Sequence, residues 1–467
     1  MGSIGTTSRR RVAQRSRWSR PESSGHFLES RKTAVLTRRQ MVLSLASAAI
    51  LRRAWAQTAA QVDVAIVGAG AAGIAAARAL SAAGLSYVVL EARDRVGGRT
   101  WTVDGLGQPF DMGAHWLHIA QRNPLVSLAQ GLGLDLSPSE PESGQLFEAG
   151  SPRVEADHDA YHRAISQMKR RGILPSLFGP DRPLSRLAPN PDRWGAVALT
   201  LPSIEMAEEP ERVSLHDYLS LGSGRDLQVS GGYGELVKSL ARGLNIRLST
   251  PVSDIRWQTS DGVALSGAFG TLTARAVIVT LPTSLLAANT IRFFPELPDE
   301  LRQAVADLPM GVFEKVGFQL VRSRPDLPEY AIATGPVAQG LTHGLHFSPD
   351  RSVATVMLTG DTARNLLAAG TRARIEVARG LLADVVGSAD ISTAVLTTDW
   401  LGDPLARGAY THSKVGAMKA RQRYATPLAD RLWFAGEAAR GEHAVTVAGA
   451  WISGTKAAAE IARVLRR

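Results

Sequence analysis

The 467-residue chain contains no cysteine. Disulfide bridges and thiolate metal sites are therefore excluded, and the composition is compatible with an oxidising compartment. The sequence also lacks an apolar run of about 20 residues, the length that a membrane-spanning helix needs. It shows neither an internal repeat nor a long low-complexity tract. These absences leave a globular chain for which no stable membrane anchor is expected.

Charge is distributed unevenly along the chain. The formal net charge is +10, but residues 1–56 hold 12 of the 53 Lys and Arg residues and only 2 of the 43 Asp and Glu residues. The remainder carries 41 residues of each sign and is neutral overall. The basic character therefore belongs to a leader and not to a nucleic-acid-binding surface, so no nucleic-acid partner is expected.

The leader, residues 1–56, resembles a twin-arginine export signal. Arg38 and Arg39 precede Met41–Leu51, an uncharged and mostly apolar stretch that is too short to span a membrane. An A-x-A cleavage site follows at residues 54–56. The resemblance implies recognition by the twin-arginine translocase and a periplasmic or secreted mature protein. The mature length favours two domains.

A dinucleotide-binding unit follows the leader. Val64–Val67 is an apolar run that predicts a buried parallel strand. Gly68, Gly70 and Gly73 then form a GxGxxG pattern, in which the glycines allow a tight turn, close approach of a pyrophosphate and packing of the next helix. That helix, predicted over residues 71–82, directs its N-terminal N–H groups at the phosphates.

The second strand of the unit, predicted over Tyr87–Leu90, ends at Glu91. An acid at this position accepts hydrogen bonds from the adenosine ribose. The segment from residue 91 to residue 100, EARDRVGGRT, resembles the flavin-containing amine oxidase family, in which the glycine pair and the arginine lie along FAD. The resemblance implies close backbone approach at Gly97 and Gly98, and charge-assisted hydrogen bonds from Arg99 near the pyrophosphate.

The resemblance covers nearly all of the mature chain and implies an α/β fold. A Rossmann-type FAD-binding domain would be assembled from discontinuous segments, with an α+β substrate domain beside it. The expected FAD-binding segments are 57–118, 226–290 and 398–467, and the substrate domain comprises 119–225 and 291–397. The chain from residue 226 onward is expected to return to the first domain's sheet.

The segment FDMGAHWLH, residues 110–118, resembles the family's loop beside the isoalloxazine ring. His115 would be a structural or substrate-facing histidine. His118 lies three residues on, but no cysteine or carboxylate cluster completes a metal site there, so no metal is expected. Trp116 stands where amino-acid oxidases of related fold have an arginine that clamps the substrate carboxylate, and its presence favours amine substrates.

Lys315 lies in an otherwise apolar predicted strand, where a lysine is costly unless it has a function. The resemblance implies that it hydrogen-bonds through a water to flavin N5, and the alternative is a solvent-exposed lysine on an edge strand. Tyr410 matches an aromatic wall facing the flavin, and Thr446 occupies the second wall position. Tyr410 and Trp451 as plain core aromatics remain an alternative.

The C-terminal segment LWFAGEAARGEHAVTVAGAWISG resembles the element that closes over the flavin. Gly436 and Glu437 match the FAD-contacting part of that element. A helix is expected to begin near Val447 and to direct its N-terminus at the flavin C2 carbonyl, where partial negative charge develops on reduction.

These matches define the predicted site. The expected catalytic residues are His115, Lys315, Tyr410 and Thr446. The expected FAD-binding residues are Gly68, Gly70, Ala71, Ala72, Gly73, Glu91, Ala92, Arg93, Gly98, Arg99, Gly113, Ala114, His115, Trp116, Val252, Gly436, Glu437, Thr446 and Val447. The absence of cysteine excludes attachment through that residue, and FAD is expected to bind without a covalent link.

The implied reaction is the oxidation of a polyamine or another primary or secondary amine. Hydride passes from the amine α-carbon to flavin N5, the imine hydrolyses to an aldehyde or ketone, and O₂ is reduced to H₂O₂. Three alternatives stay open: an L-amino-acid oxidase, a flavin desaturase acting on carbon–carbon bonds, and a flavin-binding protein without turnover.

Overall fold

The computed structural model describes residues 61–139, 145–148, 159, 162–168, 170, 179–188, 197–260, 262–334 and 342–467. The leader, with the predicted export signal, lies outside the described residues. The strands in chain order are β1 Gln61–Val67, β2 Tyr87–Leu90, β3 Thr102–Asp104, β4 Pro109–Asp111, β5 Trp116–Leu117, β6 Leu136–Ser139, β7 Gln145–Glu148, β8 Asp226–Val229, β9 Ile246–Arg247, β10 Val252–Thr259, β11 Gly262–Gly267, β12 Gly270–Val279, β13 Arg292–Phe294, β14 Phe313–Leu320, β15 Tyr330–Thr334, β16 Thr342–Phe347, β17 Val353–Thr359, β18 Ile391–Thr397 and β19 Leu432–Phe434.

Helices connect and cover these strands. In chain order they are α1 Ala71–Ala82, α2 Pro124–Gly131, α3 Thr200–Met206, α4 Leu215–Leu219, α5 Tyr233–Leu240, α6 Thr283–Ala287, α7 Asp299–Ala306, α8 Gly360–Ala368, α9 Thr371–Val386, α10 Ala420–Tyr424 and α11 Val447–Leu465. Within the described ranges, no helix combines the length and the apolar character that crossing a bilayer requires.

The larger sheet carries the nucleotide-binding unit. Its strands lie in the order β13-β10-β11-β12-β1-β2-β9, with β19 also paired to β12. The strands β9, β2, β1, β12 and β19 run parallel to one another. They come from three separated stretches of chain, which confirms a Rossmann-type sheet built from discontinuous segments. The carboxyl ends of parallel strands meet at one edge of the sheet, and a ligand site is expected there.

Helices α1 and α11 pack together on one face of this sheet. Gly454 of α11 allows the two helices to approach closely. A Cβ at this position would overlap the backbone of Ala72 in α1. Leu80 and Ile461 are fully buried in the shared core. Helix α11 is therefore fixed against α1, and this brings both helix N-termini to the same edge of the sheet.

A second sheet, in the order β18-β14-β17-β16-β15-β7, forms the centre of the α+β part. Helices α8 and α9 contribute to its apolar core, and β14 is buried along nearly its whole length. The domain boundaries themselves stay a prediction. Strand β13 lies just beyond the predicted boundary at residue 290 and pairs with β10 in the larger sheet.

One detail of the expected topology was wrong. Strand β8 was expected to return to the larger sheet, but it pairs with β5 and β6 in a small three-stranded sheet. The local pattern of β8 indicates a strand and says nothing about its partner. The small sheet positions Trp116 and Leu117 through their pairing with Gln228 and Leu227.

Candidate active site

A single long cavity of about 1080 Å³ runs from the edge of the larger sheet to the second sheet. We call its two ends the glycine end and the aromatic end. The glycine end comprises Gly68, Gly70, Glu91, Gly97 and Gly98, and the aromatic end comprises His115, Trp116, Phe313, Tyr330 and Tyr410. All residues of the predicted site line this cavity except Gly73.

The three glycines of the GxGxxG pattern have different roles. Gly68 has a φ of +105°, and a Cβ at Gly73 would overlap the carbonyl oxygen of Gly68, so this glycine allows α1 to pack on the turn. Gly70 lines the cavity, and a Cβ placed there would meet no protein atom within 4 Å. The space beside Gly70 is therefore open for a ligand to approach the backbone at the start of α1.

Glu91 is held at the end of β2 by two backbone donors. Its carboxylate accepts hydrogen bonds from the N–H groups of Ala69, at 2.6 Å, and of Arg93, at 2.8 Å. Arg93 pairs in turn with Asp403 at 2.8 Å. The acid is thus fixed where β1 and β2 end, and its remaining lone pairs are available to the hydroxyl groups of a ligand.

Arg99 has protein partners at the cavity wall. Its Nη1 donates to the carbonyl of Ala409 at 2.6 Å and to the carboxylate of Glu437 at 2.9 Å. The other oxygen of Glu437 accepts a hydrogen bond from the hydroxyl of Thr411 at 2.7 Å. The expected contact of Arg99 with a pyrophosphate stays a prediction, whereas its contact with Glu437 links the two matched segments directly.

The helix α11 begins at Val447, as expected. Thr446 is its N-cap: its hydroxyl accepts a hydrogen bond from the N–H of Gly449 at 3.1 Å and donates to the carbonyl of His443 at 2.7 Å. Val445 has a φ of 61°, a strained conformation for a β-branched residue. The hydroxyl of Thr446 is therefore committed to the cap, and the helix N-terminus lies in the cavity wall.

Lys315 is buried in β14, with only 5% of its surface exposed. Its Nζ donates to the carbonyl oxygens of Asp111, at 2.9 Å, and of Gly113, at 2.7 Å. Burial lowers the pKa of Lys315 from 10.5 to about 8, against the opposing charge of Asp111. The alternative of a solvent-exposed lysine on an edge strand was wrong, because β14 lies between β17 and β18.

His115 is anchored to Asp111, a residue that sequence reasoning did not select although it belongs to the matched segment. The distance from His115 Nδ1 to Asp111 Oδ2 is 3.1 Å. Burial by itself raises the pKa of Asp111. The pKa is nevertheless below its ordinary value, because the carboxylate is stabilised by the hydrogen bond and charge of His115, by the charge of Lys315 and by the hydroxyl of Thr102. The carboxylate of Asp111 is therefore ionised beside both basic side chains.

The aromatic residues of this end are oriented by polar contacts. Trp116 donates from Nε1 to the hydroxyl of Ser139 at 3.0 Å. Tyr410 donates from its hydroxyl to the carbonyl of Ile204, and its ring packs against Phe313 with centroids 6.1 Å apart. Trp451 lies instead in an apolar core cluster beside α5, which agrees with the alternative that it is a plain core aromatic residue.

Acidic side chains line the cavity beyond the aromatic end. Asp226 accepts a hydrogen bond from His118 Nδ1 at 2.8 Å; burial opposes protonation of His118, but Asp226 and the nearby Glu205 raise its pKa. Glu205 accepts a hydrogen bond from Tyr218 at 2.7 Å, and Glu442 pairs with Arg122 at 2.8 Å. Within the described ranges, no group of three or more histidine and carboxylate side chains is placed to hold a metal ion.

The sequence profile of one family, described as flavin containing amine oxidoreductase, matches residues 71–190 and 204–462. The chain belongs to this family. It is an FAD-dependent amine oxidase, and the glycine end fits the cofactor because only hydrogen atoms project from Gly70 into the space that a dinucleotide requires.

Individual relatives support the same assignment. Polyamine oxidase 4 of Oryza sativa subsp. japonica is 31% identical over 440 residues, which cover 86% of this amine oxidase and 89% of the relative. A probable polyamine oxidase 4 of Arabidopsis thaliana is 29% identical, with 88% of each chain covered. In fold, the structure is similar to a cyclohexylamine oxidase from Brevibacterium oxydans IH-35A, with a TM-score of 0.74, 24% identity and coverage of 87% and 100% of the two chains.

The amine oxidase also contains site residues that sequence reasoning missed. Asp111, Glu205 and Asp226 contribute carboxylates at or beside the cavity, and Arg421 forms a buried ion pair with Asp217 at 2.6 Å. Arg421 also donates to the hydroxyl of Thr411, which connects this pair to Glu437. The pattern around Asp111 was visible in the sequence, but the ion pair of Arg421 with Asp217 and the hydrogen bond of His118 with Asp226 join residues more than 100 positions apart and carry no local signal.

Proposed function

We propose that the enzyme oxidises a polyamine, with the reacting nitrogen at the aromatic end and a second, cationic nitrogen near the carboxylates beyond it. The observation that carries this proposal is that the carboxylates of Glu205, Asp226 and Glu442 line the same cavity as the aromatic end. A protonated amine some distance from the reacting nitrogen finds charge-assisted hydrogen-bond acceptors there. A monoamine has no group that could use them.

The aromatic end suits a neutral amine. Phe313 and Tyr410 supply an apolar wall, and burial lowers the pKa of the nearby Lys315. The same burial disfavours a protonated substrate amine beside this lysine. Arg99, a cation of the cavity wall, is already paired with Glu437. A buried substrate carboxylate needs an unpaired cationic partner, and Arg99 does not provide one.

When bound, FAD supplies a hydride acceptor for the amine α-carbon and is reoxidised by O₂ with release of H₂O₂. The glycine end and Glu91 hold the dinucleotide, and the N-terminus of α11 provides a positive dipole to the flavin ring. Tyr410 and Trp116 orient the amine, and the cavity walls exclude water from it. The imine product hydrolyses to an aldehyde or ketone and an amine.

Anaerobic mixing of the purified enzyme with candidate substrates tests this function, with flavin bleaching as the readout. Spermidine and spermine are expected to bleach the flavin faster than benzylamine, and L-amino acids are expected to leave it oxidised. Bleaching by L-amino acids alone would identify an amino-acid oxidase, and bleaching by none of these compounds would indicate a binding protein without turnover.

A variant pair sharpens the substrate assignment. Glu205→Gln removes one carboxylate from the cavity wall. Glu209→Gln is the control, because its carboxylate accepts a hydrogen bond from the backbone N–H of Asp361 instead. The first variant is expected to raise KM for spermidine about tenfold without changing KM for benzylamine, on the scale of one charge-assisted hydrogen bond. Equal effects on both substrates would contradict the proposed role of this carboxylate.

We also propose that the flavin is held without a covalent bond and that the protein is exported by the twin-arginine route. Acid precipitation is expected to release the flavin into the supernatant. Changing both Arg38 and Arg39 to Lys keeps the charge of the leader but removes the guanidinium groups, and is expected to retain the protein in the cytoplasm. Undiminished appearance of the mature double variant outside the cytoplasm would contradict the export proposal.

A further inference from the structure

Asp111 contacts both basic side chains of the site. Its carboxylate lies 3.1 Å from Nδ1 of His115, and its backbone carbonyl lies 2.9 Å from Nζ of Lys315. The residue is 5% exposed and stands at the end of β4. A single residue therefore determines the surroundings of two groups that come from segments 200 positions apart.

The carboxylate of Asp111 is held in place by donors on its other side. The N–H of Tyr233, at the start of α5, lies 3.0 and 3.2 Å from its two oxygens. The hydroxyl of Thr102 in β3 donates to the same group. Because donors from two elements converge on it, the carboxylate has a fixed position when it accepts from His115.

This arrangement has a consequence for the tautomer of His115. A ring nitrogen that faces an ionised carboxylate carries the hydrogen, so the neutral ring has its hydrogen on Nδ1 and its lone pair on Nε2. Nε2 is buried and has no hydrogen-bond partner among the described residues. A buried acceptor without a partner is costly, and the N–H of an amine bound in the cavity is a donor that would satisfy it.

We propose that Asp111 is a positioning residue, which fixes His115 as a hydrogen-bond acceptor for the substrate nitrogen and keeps the ammonium group of Lys315 beside it. The proposal rests on the proposed function, because it takes an amine as the donor. Asp111 acts through these two side chains and does not itself contact the substrate.

The other titratable groups around His115 have settled states. The ring of His346 lies 4.6 Å from that of His115, and burial lowers the pKa of His346 to about 4, so it is neutral. Glu329 lies 3.8 Å from His346 and accepts a hydrogen bond from Ser139, and its pKa is lowered by His346 and Ser139 against the effect of burial. Burial raises the pKa of Tyr233. Around neutral pH, Asp111 and Lys315 are therefore the charged groups that act on His115 from its own side of the site.

Asp111→Asn tests the proposal. Asparagine keeps the shape and one oxygen for the N–H of Tyr233, but it loses the charge and can present an NH₂ group to His115. The rate of flavin reduction by spermidine is expected to fall at least tenfold at neutral pH. Asp111 raises the pKa of Lys315, so a limb of the pH profile that disappears in Lys315→Met is expected to lie at lower pH in Asp111→Asn.

Glu314→Gln is the matched control. Glu314 is a fully buried carboxyl group next to Lys315, but it is not part of the cavity lining and accepts hydrogen bonds from Thr398 and from the N–H of Trp400. Its substitution is expected to reduce stability and to leave the pH limb unchanged. A similar shift of the limb in both variants would mean that a buried carboxylate near Lys315 acts without the specific geometry of Asp111.

A second readout does not depend on turnover. NMR spectra of ¹⁵N-histidine-labelled wild-type protein report the tautomer, and the signal of His115 is identified as the one missing from His115→Gln. This signal is expected to show a hydrogen on Nδ1 and none on Nε2. The Nε2–H tautomer in the wild-type protein would overturn the proposal, even if Asp111→Asn does not fold. The double variant with His115→Gln should lose less rate than the sum of the two single losses, because the part of the effect that runs through His115 is already gone, and fully additive losses would also overturn the proposal. If no amine reduces the flavin, the proposed function fails, and the tautomer still tests the role of Asp111.

Discussion

The two ends of the cavity are constructed in opposite ways. The glycine end is shaped by missing side chains, and its residues lie within about 30 positions of one another, so local backbone geometry determines it. The aromatic end is shaped by side chains from β4, β5, α3, β14 and the segment around Tyr410, and their buried polar groups need partners from distant segments. A substitution that adds a side chain at or beside the glycine end should therefore impair FAD binding itself, whereas a substitution at the aromatic end should leave FAD bound and change the reaction rate.

The largest effect is expected from Gly73→Ala. The added Cβ would overlap the carbonyl oxygen of Gly68, a backbone atom that cannot move without disturbing the turn after β1. Overpacking of this kind costs about 1–3 kcal/mol and displaces α1 from the sheet. We expect the purified variant to contain almost no FAD, measured as the ratio of flavin to protein absorbance.

Gly70→Ala is the informative partner of that variant. Its Cβ would meet no protein atom within 4 Å. The flavin-free variant and the flavin-free wild type should therefore have the same midpoint of denaturant unfolding. It should nevertheless bind FAD more weakly, because the methyl group enters the space of the ligand. If Gly70→Ala retains full affinity, the cofactor does not approach the backbone at this position, and the glycine end has been assigned incorrectly.

The contrast between the two ends also explains what could be predicted from the sequence. The strand, turn and helix around Gly68, and the start of α11 at Val447, follow from patterns that local geometry enforces, and the structure has them where expected. Strand β8 was placed in the wrong sheet because a strand pattern does not specify its partner. The ion pair of Arg99 with Glu437 and the network around Asp111 depend on contacts between distant segments, so no local pattern could predict them. The cap role of Thr446 is local, because its partners lie three residues away on either side, but sequence reasoning assigned this residue to the cavity wall instead.

The next largest effect tests the aromatic end. Lys315→Met keeps the length of the side chain but removes the donor that reaches the carbonyls of Asp111 and Gly113. Flavin content should stay at the wild-type level, whereas flavin reduction or reoxidation should slow at least tenfold. Stopped-flow traces of both half-reactions measure this, and traces equal to wild type would show that the lysine is structural.

The same variant makes a prediction about stability and pH. The pKa of Lys315 is lowered to about 8 in the folded protein from 10.5, so the unfolded chain binds its proton more tightly. Stability of the wild type should therefore rise relative to Lys315→Met as the pH increases from about 8 to 10.5, by about 3 kcal/mol in total. Denaturant unfolding of both proteins across this range measures the difference, and a constant difference would mean that the lysine is not desolvated.

The smallest effect is expected from Tyr410→Phe. The hydroxyl of Tyr410 donates to the carbonyl of Ile204, but that carbonyl also accepts from the N–H of Ala207 and would keep a partner. The loss should therefore be about 1 kcal/mol of stability. The ring and its packing on Phe313 remain, so the rate of flavin reduction should change less than about threefold. Tyr410→Ala removes the wall itself and should cost more than tenfold in the same measurement. If Phe and Ala at this position reduce the rate equally, the hydroxyl and not the ring carries the function of Tyr410, and the aromatic end would depend on a polar contact as strictly as the glycine end depends on its open backbone.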